Sequence, residues 1–467
     1  MPGPLIDEAQ HLKTLGRRDI VLFTVSAILL LDTLAAGATV GPSSIFWWLF
    51  LGLVFFVPYA MICSEMGTTY PEQGGLYAWI RDAFGRRWAS RATWAYWVNT
   101  AVWMPAIFIL FAGIFRQMFM PDLSLVTQIA IGIVLTWLAV GINVITLDIG
   151  KWIPNLGAVL KVIVIIAIVV GAIFHTQEHG MANTLTLQSI LPSEASSLQY
   201  MSVIIYGMLG FELVSSGADE MKDPKRDMPR SIFISGFIII TMYTLATVAI
   251  LAAIPASEIN LVEGLMDTLY LFFGATEAGR AFALVLGIGA LFTFFANGVT
   301  WALGCNRAMA EAAAGGEFPA VLARQHPRLG TPTGAAVAIG LLSTVTLLLY
   351  GFLAGTNEHL FWSLFAFSAV IFLLPYILLV CAFVRMRDID PTRHRPYRVP
   401  GGNRVATLIA VVCTLMLGLS IVLFVYTPGD GIQWPVLIGA VTVLAIGEVI
   451  IRVTESARPA KPVRYPG

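Results

Sequence analysis

The heptapeptide Tyr206-Gly207-Met208-Leu209-Gly210-Phe211-Glu212 interrupts an otherwise apolar stretch, and Ser215, Ser216 and Gly217 follow it closely. An apolar stretch of this length has the reach of a bilayer core. Two glycines, a carboxylate and paired serines in its middle remove the continuous winding that lipid demands, because every backbone polar group must be satisfied there. Such a break survives only against a cavity or other protein. An earlier stretch has the same character: Ser26, Asp32 and Thr33, then Gly37, Thr39, Gly41 and Pro42.

Around these two stretches the composition is that of a membrane protein. Of 467 residues, 57% are hydrophobic and 12% charged, with a mean hydropathy of +0.80. A water-soluble domain carries about 25% charged residues. Twelve apolar segments are expected, at 20–42, 45–66, 92–118, 125–146, 152–174, 198–218, 231–254, 279–304, 333–354, 359–384, 404–426 and 432–452, numbered 1 to 12 below. Twelve alternating crossings put 25 of the 28 Lys and Arg on one side. Arg116 and Arg280 fall on the other, and Lys161 lies inside segment 5. Basic loops mark the cytoplasmic face, so both termini are expected there, in a multi-pass protein of the cell inner membrane. Residues 1–18 are polar, and the first apolar run is too long for a cleaved leader.

The expected organisation is a cytoplasmic N-terminus (1–19), a ten-segment transport core (20–384), a cytoplasmic loop (385–403), segments 11 and 12 (404–452) and a cytoplasmic tail (453–467). Segments 1 and 6 occupy corresponding places if segments 1–5 and 6–10 are inverted repeats. Interrupted segments at such places point to a transporter's midplane site. The competing reading is that the glycines only let helices pack closely. At a true break the free amides and positive helix ends attract a carboxylate, and exposed carbonyls attract an ammonium group. That combination suits an amino acid.

Several motifs then resemble the amino acid–polyamine–organocation transporters. They are Glu65-Met66 with Pro71-Glu72-Gln73-Gly74-Gly75-Leu76-Tyr77-Ala78-Trp79, the segment 6 heptapeptide with Glu220-Met221-Lys222-Asp223-Pro224, Arg307-Ala308-Met309-Ala310 with Gly316-Glu317-Phe318-Pro319, and Arg395-Pro396-Tyr397-Arg398-Val399-Pro400. They run in family order from residue 17 to about 402, and the chain looks most similar to bacterial antiporters of the glutamate/γ-aminobutyrate type. The resemblance implies an all-α, LeuT-like five-plus-five inverted repeat with two appended helices. It also implies alternating access around a site between segments 1, 3, 6, 8 and 10. The family commonly carries Gly-Ser-Gly or similar at the first break; Leu31-Asp32-Thr33 stands here instead.

A carboxylate in a spanning segment marks a functional position. Three roles stay open for Asp32: pairing with a substrate ammonium, carrying a proton, or pairing with Lys161. Lys161 resembles the fifth-segment lysine whose ammonium, in sodium-independent relatives, stands where sodium-coupled members bind an ion; snorkelling to the boundary is the alternative. Glu212 resembles the glutamate tied to proton sensing in arginine/agmatine exchangers, against a plain capping role. Tyr206 matches an aromatic gate, and Trp301 an aromatic that stacks on substrate, against ordinary packing for both. Thr33, Gly207, Gly210 and Asn297 complete the expected substrate site. Asn99, Trp103, Ser363 and Ser368 are candidates for the cavity wall, and Glu65 and Arg307 for gating or structural ion pairs. His175 and His179 flank Glu178 in an outer loop, where a solvated loop outweighs a metal site.

The expected function is a sodium-independent exchanger or proton-coupled carrier of amino acids or related amines. A polyamine- or diamine-selective carrier using Asp32 is the alternative, as is a transporter-like receptor that moves nothing. Enzyme chemistry is not expected, since no histidine lies mid-segment and no catalytic constellation appears. The expected partners are a small-molecule substrate, protons and the bilayer, with no cofactor, metal or nucleic acid.

Overall fold

The computed structural model describes residues 16–31, 34, 37–39, 41–71, 75–145, 149–192, 198–221, 223–260, 262–353, 355–427 and 431–457. Among these, ten helices are long and apolar enough to cross a membrane. The two expected crossings outside that set are segments 1 and 6, the two that break. Segment 1 is helical over Arg17–Ile28. Segment 6 is helical over Leu198–Tyr206 and resumes as a 3-10 helix over Phe211–Glu220.

The continuous helices begin where the sequence supplies caps. Segment 7 (Pro224–Ala253) opens with Asp223, whose carboxylate accepts from Arg226 N, and with Pro224 in the first turn, where its missing N–H costs nothing. Segment 8 (Glu277–Ala314) and segment 10 (Asn357–Ile389) open on Thr276 and Thr356, whose hydroxyls accept from Gly279 N and His359 N. A π-helical turn, Gly52–Phe56, lies inside segment 2 (Ser43–Thr69). Segments 11 (Gly402–Val425) and 12 (Trp434–Ser456) join through a two-residue antiparallel ladder, Tyr426 opposite Ile432 and Thr427 opposite Gly431.

Burial separates a core from a periphery. Segment 3 (Arg86–Phe119) has 89% of its most apolar window buried within the protein, whereas segment 12 has 22%. Segment 3 packs against segments 8 and 10. Segments 4 (Leu125–Ile145), 9 (Thr333–Leu353), 11 and 12 present most of their apolar surface outward, as a lipid-facing shell does. The outward faces of the peripheral segments are apolar, while polar residues such as Gln128, Thr136 and Asn143 of segment 4 and Ser343 of segment 9 are buried.

Two ends of the molecule are tied differently. At the arginine-rich end, buried Glu65 accepts bidentately from Arg387 (Nη2 at 2.5 Å), pairs with Arg395 at 3.2 Å and accepts from Val399 N. Nearby, buried Glu317 accepts from the Tyr77 hydroxyl and from Ser90 Oγ. Burial, and then the hydrogen bond to Glu317, push the Tyr77 phenol above its ordinary range. At the opposite end, a surface helix (Gly264–Phe273) is held to segment 3 by Arg116 on Glu263 and Gln117 on Asp267.

Candidate functional site

The last carbonyls of a helix have no partner within it and carry the negative end of its dipole. Segment 1 ends at Ile28, where Leu29 turns extended (φ −75°, ψ 101°). Each carbonyl exposed there receives a donor from another segment. Ser26 O accepts from Lys161 Nζ at 2.5 Å, Ala27 O from Trp301 Nε1 at 3.2 Å, and Ile28 O from the Tyr243 hydroxyl at 2.8 Å. Tyr243 also accepts from Leu30 N at 2.8 Å, so one hydroxyl bridges the break. Its ring stacks on Trp48 at 4.2 Å. Lys161 is fully buried and its ammonium also donates to Asn297 Oδ1 at 2.6 Å.

Segment 6 unwinds through tightening turns: Gly207 N donates to Val203 O, Met208 N to Ile205 O and Leu209 N to Tyr206 O. Gly210 then adopts φ +132°, a conformation that L side chains avoid. A Cβ at Gly210 would stand 2.9 Å from Ile28 Cγ1. The two breaks therefore touch, and glycine permits both the turn and the approach.

Between the breaks lies a cavity of about 10 Å³, the room of roughly one water molecule. Leu30, Tyr206 and Leu209 face it from the breaks, and Asn99, Trp103, Trp301 and Phe372 from segments 3, 8 and 10. The rings meet edge to face: Trp103 on Trp301 at 6.2 Å and 63°, Trp301 on Phe372 at 5.4 Å and 73°.

On the arginine-rich side of the cavity, Glu212 is 3% exposed and accepts from three phenols. Tyr59 donates to Oε2 at 2.7 Å; Tyr96 and Tyr376 donate to Oε1 at 2.9 and 2.6 Å. The donors come from segments 2, 3 and 10. An ionised carboxylate is acceptor-only with about four sites, so three O–H donors match it well. Tyr96 precedes Asn99 by three residues, about 4.5 Å along the helix, and links the cluster to the cavity through Trp301 (6.1 Å) and Phe372 (6.0 Å).

Of the expected site residues, Tyr206 and Trp301 line the cavity, while Gly207 and Gly210 form the segment 6 turn. Asn297 stands behind the wall, holding Lys161. Glu212 lies beside the cavity within its tyrosines. Asp32 and Thr33 fall outside the described residues. Ser368 bonds back to Phe365 O of its own helix. His175 and His179 stack on each other at 4.5 Å. Tyr59, Tyr96, Tyr243, Phe372 and Tyr376 were not singled out by the sequence; each is one aromatic among many in an apolar run, with no local signal.

The amino acid permease family description matches residues 15–446. A probable agmatine/putrescine antiporter of Lactococcus lactis is 34% identical over 439 residues, covering 92% of this chain and 93% of that protein. The glutamate/γ-aminobutyrate antiporter of the same organism is 23% identical, covering 84% and 80%. In structure, a manganese transporter variant from Eremococcus coleocola superposes with a TM-score of 0.58 at 13% identity, covering 94% of both chains. That likeness establishes the LeuT-like inverted-repeat fold. The chain belongs to the amino acid permease family of the amino acid–polyamine–organocation superfamily, a multi-pass membrane protein and secondary transporter of amino acids or amines.

Proposed function

We propose that the protein is a sodium-independent exchanger of small amino-bearing solutes, with its arginine-rich end and both termini in the cytoplasm of the cell that carries it in its inner membrane. The observation that carries this reading is Lys161. Its ammonium stands on Ser26 O and Asn297 Oδ1, hard oxygens of the kind that ligate sodium. A fixed positive charge at the negative end of segment 1 does the electrostatic work of an ion and leaves none to be co-transported. Counterflow in proteoliposomes tests this: uptake is expected to be the same in sodium and in choline buffer. Stimulation by sodium overturns the reading.

The amine side of the substrate class is favoured by Asp32, two residues after Leu30 of the cavity wall. It is favoured also by the greater identity to the agmatine/putrescine antiporter than to the glutamate/γ-aminobutyrate antiporter. Glu212 is the candidate proton carrier, as a carboxylate buried beside the cavity whose ionised form three phenols hold by donating to it. Asp32→Asn is expected to abolish amine counterflow while the protein still reaches the membrane. Wild-type amine flux in that variant rejects the ammonium-binding role.

A further inference from the structure

Away from the substrate cavity, a hollow of about 320 Å³ lies between segments 3, 10 and 12, beside the exposed Trp88. Its volume is that of a small-molecule site. Most of its wall is apolar: Ala92 and Ala95 on segment 3, Leu374 and Leu378 on segment 10, Leu444 and Ile451 on segment 12. Trp94 fastens one side. Gly447 has no side chain to hold it off, since a Cβ there would stand 2.2 Å from Trp94 Cδ1, and the indole N–H donates to Val443 O at 2.9 Å. The charged part of the wall is one ion pair. Arg91 donates to both oxygens of Glu448, at 2.9 and 3.1 Å, and lies over the Trp88 ring at 4.7 Å. One helical turn nearer the arginine-rich end, Arg452 donates through Nε to Glu448 at 2.7 Å and Arg87 pairs with Glu455 at 2.6 Å. Among the described residues this rim sets three guanidiniums against two carboxylates. The excess positive charge faces outward, for the Arg452 side chain is 67% exposed and that of Glu448 26%.

We propose that this hollow is a binding site for an anionic phospholipid, with an acyl chain along the apolar wall and the headgroup phosphate on Arg452 at the rim. Segment 12 belongs to the lipid-facing shell, so acyl chains are what the hollow meets, and its walls offer a hydrated solute little to bond. An exposed tryptophan beside arginines is the arrangement of a membrane–water boundary. Basic pockets between spanning helices near that boundary hold anionic headgroups. Arg452 reaches Glu448 through Nε, which leaves its two Nη groups to donate to phosphate oxygens. A second copy of the protein is the competing occupant. A two-fold contact there would set this rim against its own guanidiniums, like charge on like. The position ties the lipid to the transport core. Ala95 and Pro375 line the hollow, and the residue after each, Tyr96 and Tyr376, donates to Glu212. A bound acyl chain therefore braces segments 3 and 10 behind two of the three phenols on that carboxylate.

The test uses the full-length protein in detergent, read by mass spectrometry of the intact complex and by melting temperature. Three probes are added: dioleoyl phosphatidylglycerol, which is anionic, dioleoyl phosphatidylcholine, which is zwitterionic, and glycerol 3-phosphate, which has no acyl chains. Phosphatidylglycerol is expected to bind about tenfold more tightly than phosphatidylcholine and to raise the melting temperature by about 2 °C at saturation. Glycerol 3-phosphate is expected to do neither. Arg452→Gln removes one basic side chain from the rim and is expected to weaken phosphatidylglycerol about fivefold, leaving the two lipids within about twofold of each other. Leu444→Trp fills the hollow and is expected to weaken both phospholipids together. Arg452→Gln lies at the surface and decides the matter even where Leu444→Trp fails to fold. Equal binding of the two phospholipids to the wild type overturns the proposal, as does an undiminished preference in Arg452→Gln. Stabilisation by glycerol 3-phosphate alone overturns it too, because the apolar wall then plays no part. A dimer that melts alike with and without lipid, and that Leu444→Trp splits, assigns the hollow to a second copy instead.

Discussion

Tyr243 shows how much a single hydroxyl does in this site. It donates to Ile28 O and accepts from Leu30 N, each at 2.8 Å, closing the backbone gap that the end of segment 1 opens. Tyr243→Phe preserves the stacking on Trp48 and strands both backbone groups in a dry interior, at roughly 1–3 kcal/mol each. We expect a clear fall in the melting temperature of the solubilised protein and a loss of most counterflow; an unchanged melting temperature would show that the bridge is not needed. Sequence reading reaches residues of this kind unevenly. Lys161, Glu212 and Asp32 stand out because a charge in an apolar run is anomalous by itself. Tyr243, Tyr59, Tyr96 and Tyr376 do not, because a tyrosine is ordinary in such a run and its role comes only from a partner far away in sequence. Asn297 stood out as polar, yet only packing could reveal that it faces Lys161 rather than the cavity.

At the scale of the element, the informative signal was interruption. Glycines, a carboxylate and serines in the middle of segment 6 identify a helix that cannot run through, and the structure breaks there from Gly207 to Gly210. For segment 1 the glycines lie at 37 and 41, whereas the helix ends at Ile28, well before the nearest breaker. Its termination is set by tertiary donors, namely Lys161, Trp301 and Tyr243 on three successive carbonyls, which replace the next helical turn. No local propensity in Ile28-Leu29-Leu30-Leu31 calls for it. Gly210→Ala separates these two causes. The positive φ alone costs about 1–3 kcal/mol for a side chain, and the added Cβ at 2.9 Å from Ile28 Cγ1 must push the two breaks apart. The expected result is a protein that inserts but transports poorly. Pairing it with Ile28→Ala, which removes Cγ1 and Cδ1 from that contact, is expected to restore part of the flux. A Gly210→Ala protein with wild-type transport would mean that the breaks need not touch.

For the whole molecule, the question is which end lets go first. The arginine-rich end is joined by a deeply buried cluster: one carboxylate, Glu65, serves two guanidiniums that are 6% and 7% exposed. Glu65→Gln leaves both without a counter-charge, a loss of about 3–5 kcal/mol for a buried pair, and should lower the melting temperature sharply; a shift of under a degree would show that the cluster is not what holds this end. The opposite end depends on a partly exposed latch, Gln117 on Asp267 and Arg116 on Glu263. Partial burial raises the Asp267 carboxyl above its usual range, the neighbouring Glu263 charge adds to this, and the Gln117 hydrogen bond opposes it. The folded protein therefore holds this proton more tightly than the unfolded chain. The stability that Asp267 contributes is full below the ordinary aspartate range and is lost as the pH rises through the raised value. Asp267→Asn, which imitates the protonated form, should then melt slightly above the wild type at pH 7 and level with it near pH 4. A gap that widens on acidification would reverse the sign and reject the assignment. Since the latch is partly exposed and the Glu65 cluster is buried, the end opposite the arginines is the one expected to loosen first.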